Sequence, residues 1–228
     1  MNLFNKSILI TGGSEGLGFA LAQQFLEAGS RVLICGRSQD KLDKAEQLLN
    51  NTNLTTFCCD ITDSSQVNLM VKNIASLDIL INNAGIYLEA PLLQSSPLEI
   101  SNVIDTNLKG LIYTTQACLP LLSKRSESFV VNIASTKALE PAQNLSIYCA
   151  SKYAIHGFSE SLKLELKNSN IKIFNLYPPS MKTAFHTKTG VEKDQSNWMT
   201  PIQVAEVVIF ALTRNTPLAF DSLLLRNK

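Results

Sequence analysis

The sequence has little of what metal sites, nucleic-acid interfaces and exported proteins require. It carries only 2 histidines and a net charge of +1, which argues against a histidine metal centre and against attraction to nucleic acid or an anionic membrane. Its 5 cysteines are odd in number and include no C-x-x-C pair, which favours reduced thiols in a cytoplasmic protein. The start of the chain lacks a basic segment followed by an apolar run, and no stretch approaches about 18 uncharged apolar residues. We therefore expect no signal peptide, no membrane-spanning helix and no metal.

Short apolar runs alternate along the chain with longer amphipathic stretches. Hydrophobic residues make up 45% of the sequence and charged residues 17%, which supplies a large core and argues against disorder. The short runs are rich in β-branched residues and too short for helices, so they are predicted strands. They are Ser7–Thr11, Arg31–Cys35, Thr55–Cys59, Asp78–Asn82, Phe129–Ala134, Lys172–Leu176 and Ser222–Arg226. The predicted helices are Leu17–Ala28, Lys41–Leu49, Ser65–Ala75, Pro97–Leu122, Ile147–Lys167 and Pro201–Leu212.

This alternation of strand and helix has no linker, repeat or low-complexity break. It predicts an α/β fold, a Rossmann-type doubly wound parallel sheet of six to seven strands with helices on both faces. We expect residues 1–228 to form a single domain that binds its ligand beyond the carboxyl ends of the strands. The longest polar, irregular stretch, Ala184–Met199, predicts a substrate loop over about 178–200.

Three glycines follow the first predicted strand, in Thr11-Gly12-Gly13-Ser14-Glu15-Gly16-Leu17-Gly18. Gly12 suits a tight turn, Gly16 a close approach to a pyrophosphate, and Gly18 the packing of helix on strand. The following helix would offer unpaired N–H groups to phosphates. An ordinary glycine-rich turn is the alternative.

The glycine spacing is G-x-x-x-G-x-G, and with it the chain resembles the short-chain dehydrogenase/reductase family, in its shorter single-domain branch. The resemblance extends over nearly the whole chain. Its further motifs are Asn82-Asn83-Ala84-Gly85, Asn107, Ser135 placed 13 residues before Tyr148, Tyr148-Cys149-Ala150-Ser151-Lys152, Asn175, Pro178 and Thr183. Where the family has Pro-Gly, this chain has Pro178-Pro179, which is expected to stiffen the segment leading to Thr183.

Tyr148 and Lys152 are four residues apart and therefore share one helix face. An ammonium about 4 Å away would stabilise the phenolate by ~4 kcal/mol, or roughly three pKa units, bringing Tyr148 close to working pH. Ser135, after a strand, can donate to a substrate oxygen. The resemblance implies these same roles and gives Asn107 the task of holding a water in a proton relay. A solvated helix face is the alternative for an isolated Y-x-x-x-K.

The cofactor choice depends on the end of the second predicted strand. An NAD enzyme has an acid there for the ribose 2′-hydroxyl, whereas this chain has Gly36 followed by Arg37. The Arg37 guanidinium suits a 2′-phosphate, which predicts NADP(H) in preference to NAD(H), with a surface arginine as the alternative. Glu15 counts against this if it points inward, because it would repel the phosphate. Asp60 resembles the family residue that meets the adenine amino group, with a turn residue as the alternative.

Together these motifs predict an enzyme that transfers a hydride between a nicotinamide and a carbonyl or alcohol. The alternatives are an inactive NADP(H)-binding sensor or scaffold, and a sugar-nucleotide epimerase, whose glycine spacing differs. Relatives pair through the helices predicted at Pro97–Leu122 and Ile147–Lys167, so a homodimer is expected, with a homotetramer as the alternative. The catalytic residues are expected to be Asn107, Ser135, Tyr148 and Lys152. The cofactor-binding residues are expected to be Gly12, Ser14, Glu15, Gly16, Leu17, Gly18, Arg37, Asp60, Ile61, Asn83, Ala84, Gly85, Tyr148, Lys152, Pro178 and Thr183.

The small-molecule substrate stays open between steroids, sugars, acyl chains and small aldehydes. The residues expected around it mix apolar and polar types. They are Thr136, Lys137, Gln143, Asn144, Leu145, Met181 and the loop Ala184–Met199.

Overall fold

The computed structural model describes residues 1–187, 194–214 and 220–228. Within these ranges seven strands form one parallel sheet in the order β3-β2-β1-β4-β5-β6-β7, which confirms the predicted doubly wound α/β fold. The strands are β1 (Ser7–Thr11), β2 (Arg31–Gly36), β3 (Leu54–Cys58), β4 (Ile79–Asn82), β5 (Ser128–Ile133), β6 (Ile171–Tyr177) and β7 (Ser222–Leu224).

Helices connect these strands. They are α1 (Gly16–Glu27), α2 (Gln39–Leu49), α3 (Ser64–Lys72), α4 (Pro97–Ile104), α5 (Gly110–Leu122), α6 (Ser146–Glu165), α7 (Ala184–Thr187) and α8 (Pro201–Thr213), with short 3₁₀ turns at Leu92–Gln94 and Thr136–Ala138. Capping boxes with proline in the first turn begin α4 at Ser96 and α8 at Thr200. In the described ranges we find no helix with the length and apolarity needed to cross a membrane.

The helix predicted over 97–122 is present, with a π-helical turn in its middle. A π-helical turn, Asp105–Lys109, separates α4 from α5, so the hydrogen-bond spacing changes in the middle of an otherwise continuous helical stretch. π-turns of this kind occur frequently at functional sites. Here the turn contains Asn107, one of the predicted site residues.

Both faces of the sheet are covered, because neighbouring side chains of a strand point to opposite sides. Ile8 and Ile10 of β1 pack in a cluster that includes residues of α1 and α8. Leu9, between them, packs in a second cluster with residues of α3, α5 and α6. This double burial explains why the strands read as continuous apolar runs.

The sheet order reverses at β1. The chain moves outward from β1 to β2 and β3, and then returns to place β4 on the other side of β1. In open α/β sheets, ligands bind at this reversal, beyond the carboxyl ends of the strands. The fold therefore brings the turns after β1, β2, β4, β5 and β6 to one edge of the sheet.

Candidate cofactor and active site

A cleft of about 460 Å³ opens at this edge of the sheet, within the size range of ligand pockets, roughly 300–1,000 Å³. All of the predicted site residues line it except Gly18 and Asn107, which are buried. The predicted residues in the lining are Gly12, Ser14, Glu15, Gly16, Leu17, Arg37, Asp60, Ile61, Asn83, Ala84, Gly85, Ser135, Tyr148, Lys152, Pro178 and Thr183.

The glycine turn brings backbone unusually close to backbone. Gly12 and Gly16 have φ of +65° and +57°, in the left-handed region that favours glycine. A Cβ on Gly18 would lie 2.1 Å from the carbonyl oxygen of Gly12, so only glycine lets α1 begin here. Glu15, the N-cap of α1, makes no side-chain hydrogen bond to the first turn. The turn therefore fits the phosphates of a dinucleotide, which bind to such N-termini.

Asn83 ties this turn to the end of β4. Its side-chain amide donates to the carbonyl oxygens of Thr11 at 2.9 Å and Gly12 at 3.1 Å. In return the Thr11 hydroxyl oxygen accepts from the backbone N–H groups of Asn83 and Ala84, both at 3.0 Å. Sequence reasoning missed the role of Thr11, although a hydroxyl at the end of β1 was a signal for it.

Arg37 is exposed at the end of β2, and within the described ranges its side chain makes no hydrogen bond or ion pair. The Glu15 carboxylate forms an ion pair of 2.7 Å with Lys41, a cleft residue that sequence reasoning missed. This second cation offsets the repulsion that Glu15 was expected to exert on a phosphate beside Arg37.

Asp60 is both a turn residue and part of the cleft lining. Its Oδ1 atom accepts from the backbone N–H of Thr62 at 2.9 Å and from the Thr62 hydroxyl at 2.8 Å, as a turn residue does. Asp60 also lines the cleft, next to Ile61.

Tyr148 and Lys152 lie one turn apart on α6 and are only 5% and 4% exposed. The Lys152 ammonium donates to the carbonyl oxygen of Ile133 at 3.1 Å and lies 5.8 Å from the centre of the Tyr148 ring. Ser135 follows β5, and its hydroxyl oxygen accepts from the backbone N–H of Lys137 at 3.1 Å. The cleft thus contains a phenol, an ammonium and a hydroxyl.

Burial raises the pKa of Tyr148, and a hydrogen bond with the Ser135 side chain opposes that rise only in part. Burial also lowers the pKa of Lys152 to about 8. The prediction that Lys152 lowers the pKa of Tyr148 towards working pH is therefore wrong for this structure. The physical reason is that desolvation of the phenolate outweighs the attraction of an ammonium that is directed at Ile133.

Asn107 lies behind the cleft wall and holds the segment that follows Gly85. Its Oδ1 accepts from the backbone N–H of Ile86 at 2.8 Å, and its amide donates to the carbonyl oxygen of Ile86 at 3.0 Å. The same amide donates to the hydroxyl of Ser151 at 3.1 Å, and Ser151 in turn donates to the carbonyl oxygen of Tyr148 at 2.7 Å. Ser151 was missed as a link between Asn107 and α6.

Two aromatic rings lie beside that of Tyr148. The centre of the Tyr87 ring lies 5.0 Å from that of Tyr148 and 5.8 Å from that of Phe185, and the centres of Tyr148 and Phe185 are 6.4 Å apart. Tyr87 was missed, because no local pattern places it beside Tyr148, whereas Phe185 lies in the loop Ala184–Met199 that was expected around the substrate. Thr136, Lys137, Leu145 and Met181 also line this end of the cleft, as predicted.

Gln143 and Asn144 were expected in the substrate pocket and do not line the cleft. Gln143 is exposed. Asn144 adopts a φ of +61°, and its carbonyl oxygen accepts from the backbone N–H of Ala90 at 2.9 Å. Asn144 is therefore a turn residue. Asparagine adopts the left-handed backbone conformation of such turns more readily than most residues do.

The predicted substrate loop begins and ends side by side. Met181 forms a bridge with Met199, and Asn227 near the C-terminus donates to the carbonyl oxygen of Ser180 and accepts from the N–H of Met199, both at 3.0 Å. Thr183 lies across from α1, since a Cβ on Gly16 would sit 3.6 Å from its methyl group. Residues 188–193 of this loop lie outside the described residues.

Comparisons with known proteins agree with this geometry. The family profile described as short chain dehydrogenase matches residues 6–194. An uncharacterised oxidoreductase of Staphylococcus aureus (strain MW2) is 32% identical over 216 residues, which cover 93% of each chain. The uncharacterised oxidoreductase DltE of Bacillus subtilis is 33% identical over 195 residues, covering 83% of this chain and 77% of DltE.

Solved structures show the same fold. A serine dehydrogenase complexed with NADP⁺ superposes with a TM-score of 0.90 at 28% identity, covering 96% of this chain and 94% of that one. A 3-ketoacyl-(acyl-carrier-protein) reductase from Brucella melitensis complexed with NADH also gives a TM-score of 0.90, at 24% identity, with 98% and 97% covered. The family profile matches most of the length of this chain. The chain therefore belongs to the short-chain dehydrogenase/reductase family of oxidoreductases, which bind a nicotinamide cofactor and act on small molecules.

Proposed function

We propose that this protein is an NADP(H)-dependent oxidoreductase that interconverts a carbonyl and an alcohol, with Tyr148 as the general acid and base. The observation that carries the proposal is the position of the buried phenol of Tyr148. It lies with Ser135 and Lys152 in the same cleft as the glycine turn that fits a dinucleotide. We also propose that residues 1–228 form a single domain, which the continuous seven-stranded sheet supports.

The choice of NADP(H) rests on Arg37 and Lys41, two cations at the end of the cleft beside β2. A guanidinium without a protein partner in the described ranges suits a 2′-phosphate, and Gly36 offers no carboxylate to the hydroxyls of NAD(H). The similar serine dehydrogenase was solved with NADP⁺, which also supports this choice. A bound nicotinamide supplies or accepts the hydride at the carbonyl carbon.

Tyr148 moves the proton. Because burial raises its pKa, the phenol is protonated at neutral pH and ready to donate to a substrate oxygen. Ser135 donates a second hydrogen bond to that oxygen as charge develops on it. Lys152, with a pKa of about 8, is mostly charged at neutral pH and stabilises the phenolate that remains. In reduction the carbonyl carbon gains a hydride and its oxygen a proton, so C=O becomes CH–OH.

Asn107 supports this chemistry from behind the wall. Through its bonds to Ile86 and Ser151 it joins the segment after Gly85 to α6, the helix that carries Tyr148. Asn107 is therefore a positioning residue, because it fixes these two elements relative to each other.

An initial-rate screen tests the proposed function. Wild-type protein and Tyr148→Phe are compared over chemically diverse carbonyls, first with NADPH and then with NADH, following loss of the reduced nicotinamide. Wild-type turnover with NADPH that Tyr148→Phe nearly abolishes is the expected result. A fluorescence titration with NADPH provides the control, because both proteins should bind the cofactor equally.

Two results would contradict the proposal. Retained turnover in Tyr148→Phe removes Tyr148 as the acid. Tight NADPH binding without wild-type turnover of any carbonyl favours the alternative, a cofactor-binding sensor or scaffold.

We also propose a homodimer that pairs through α4, α5 and α6. Leu98 on α4 and Tyr153 and Leu164 on α6 support it, since these large apolar side chains are 70%, 42% and 76% exposed. Light scattering at micromolar concentration should give the mass of a dimer, and a monomer mass would contradict this pairing.

A further inference from the structure

The end of the cleft beside β1 to β3 carries charges of both signs, because Arg37 and Lys41 lie there with two carboxylates, whereas the described lining of the other end carries cations alone. The carboxylates in its described lining are Glu15 and Asp60, both beside β1 to β3. The end beside β5 and β6 has Lys137 and Lys152 instead, and no carboxylate among the described lining residues. Lys152 is directed at the carbonyl of Ile133. The cation at the substrate end that stays available to a ligand is therefore Lys137.

Lys137 is placed next to the reacting atoms by a 3₁₀ turn, Thr136–Ala138, that follows Ser135 directly. Its backbone N–H donates to the Ser135 hydroxyl at 3.1 Å, which fixes the turn against the site. The side chain is partly buried and makes no hydrogen bond or ion pair in the described ranges. Glu140, the carboxylate whose pKa it influences, is paired with Arg226. A partly desolvated ammonium in this position favours an anionic partner.

The rest of the lining at this end includes aromatic rings and apolar side chains. The Tyr87 hydroxyl donates to Glu89 at 2.7 Å, and burial raises the pKa of Tyr87, so this phenol stays neutral and its polar tip is satisfied. The rings of Tyr87 and Phe185 stand at an interplanar angle of 47°, next to Tyr148. Leu145 and Met181 add aliphatic side chains to this lining. Edges and faces of such rings pack well against another ring.

We propose, on the basis of the proposed function, that the substrate is an oxo acid with a ring-bearing body, and that Lys137 binds its carboxylate. The ring lies among Tyr87, Phe185 and Leu145. The oxo group meets Tyr148 and Ser135. Reduction adds a hydride to the oxo carbon and the Tyr148 proton to its oxygen, giving a hydroxy acid whose carboxylate stays ionised on Lys137.

Two pairs of probes test this assignment, each an acid and its ester, which differ in the carboxylate charge and in one small alkyl group. They are benzoylformate with its methyl ester, and benzoylacetate with its ethyl ester. We measure kcat/KM with NADPH for each compound and form the ratio of acid to ester. For at least one pair the wild-type ratio should exceed 1, and in Lys137→Gln it should fall at least tenfold. Lys137→Arg keeps the charge and should retain most of the preference for the acid.

A matched control is Lys124→Gln, which removes an exposed lysine at the end of α5, away from the cleft, and should leave both the ratio and the turnover unchanged. Added salt should lower the wild-type ratio, because it screens a charge pair. Phe185→Ala should lower kcat/KM for benzoylformate more than for pyruvate, which lacks the ring.

The outcomes separate this proposal from the proposed function. Reduction of the esters in preference to the acids, or an acid-to-ester ratio that Lys137→Gln leaves intact, overturns the role of Lys137 while the reductase function stands. Reduction of none of the four compounds overturns the substrate class. The function itself is then decided by the broader carbonyl screen with Tyr148→Phe.

Discussion

The ammonium of Lys152 donates a 3.1 Å hydrogen bond to the carbonyl oxygen of Ile133, at the carboxyl end of β5, from a position that is only 4% exposed. One neutral acceptor does not replace the water that this charge loses on folding. Its pKa of about 8 records that loss. We therefore expect Lys152 to lower the stability of the fold while it supplies positive charge beside Tyr148.

Lys152→Met should stabilise the protein at pH 7. The lysine pKa falls from an ordinary ~10.4 to about 8, so removing the charge should recover roughly 3 kcal/mol, less about 1 kcal/mol for the lost hydrogen bond. Between about pH 8 and ~10.4 the unfolded chain binds more protons than the folded one, so wild-type stability rises across that window. Urea unfolding should show a gap between the two proteins that narrows from pH 7 to pH 10. A variant less stable at pH 7 would contradict this reading.

Gly18→Ala should destabilise the protein by about 2 kcal/mol or more, because its Cβ would meet the Gly12 oxygen at 2.1 Å and the Asn83 side-chain nitrogen at 2.6 Å. Gly157→Ala provides the matched control, since nothing lies within 4 Å of a Cβ there and alanine favours helix by about 0.5–1 kcal/mol. Thermal unfolding compares them. Equal effects of the two substitutions would remove the steric argument for the glycine turn.

Arg37→Asp should weaken NADPH binding by more than tenfold, or about 1.4 kcal/mol, and should change NADH binding much less. The reason is that the new carboxylate repels a 2′-phosphate, which NADH lacks. Fluorescence titration measures both constants, and Lys124→Asp controls for a general change in surface charge. Unchanged NADPH affinity would show that Arg37 does not hold the phosphate.

Asn107→Ala should cost roughly 2–3 kcal/mol of unfolding free energy, because it leaves both backbone groups of Ile86 without their partner. Ser151→Ala removes a smaller part of the same network and should cost about 1 kcal/mol. The double variant should cost less than the sum, since one hydrogen bond is counted twice. Strictly additive costs in urea unfolding would mean that the two residues act independently.

Asn227→Ala should loosen the base of the predicted substrate loop, because it removes the bonds to Ser180 and Met199. Trp198, the single tryptophan, precedes Met199 and reports on this region. Acrylamide quenching of its fluorescence should increase in the variant. Asn73→Ala, at the exposed C-terminal end of α3, is the control and should leave the quenching as in wild type. Equal quenching in all three proteins would exclude a role for Asn227.

Several features were predictable because they depend on near neighbours in sequence. Periodicity predicted the strands and most helices, with ends that differ by a few residues. The helix predicted over 97–122 is present, but periodicity did not predict the π-turn in its middle. That turn coincides with the bonds of Asn107 to Ile86 and Ser151, which are far away in sequence.

The protonation of Tyr148, the partner of Glu15 and the aromatic rings beside Tyr148 were not predictable from local sequence patterns. The pKa of Tyr148 was predicted in the wrong direction, because spacing along α6 shows that a lysine is near but not how much water both groups lose. The pairing of Glu15 with Lys41 joins two turns separated by β2. The approach of Tyr87 and Phe185 to Tyr148 depends on the turns after β4 and β6 meeting above the sheet.

Local patterns in the sequence were sufficient to predict the α/β class and the glycine turn. They also predicted that Tyr148 and Lys152 share a helix face, since backbone sterics and the 3.6-residue period act over a few residues. The strand order, the contacts of Tyr87 and Phe185 with Tyr148, the position of Lys137 in the cleft and the bonds of Asn227 to Ser180 and Met199 depend on the tertiary fold. These features depend on which distant segments meet at the sheet edge and on how much solvent that meeting excludes, which no local pattern contains.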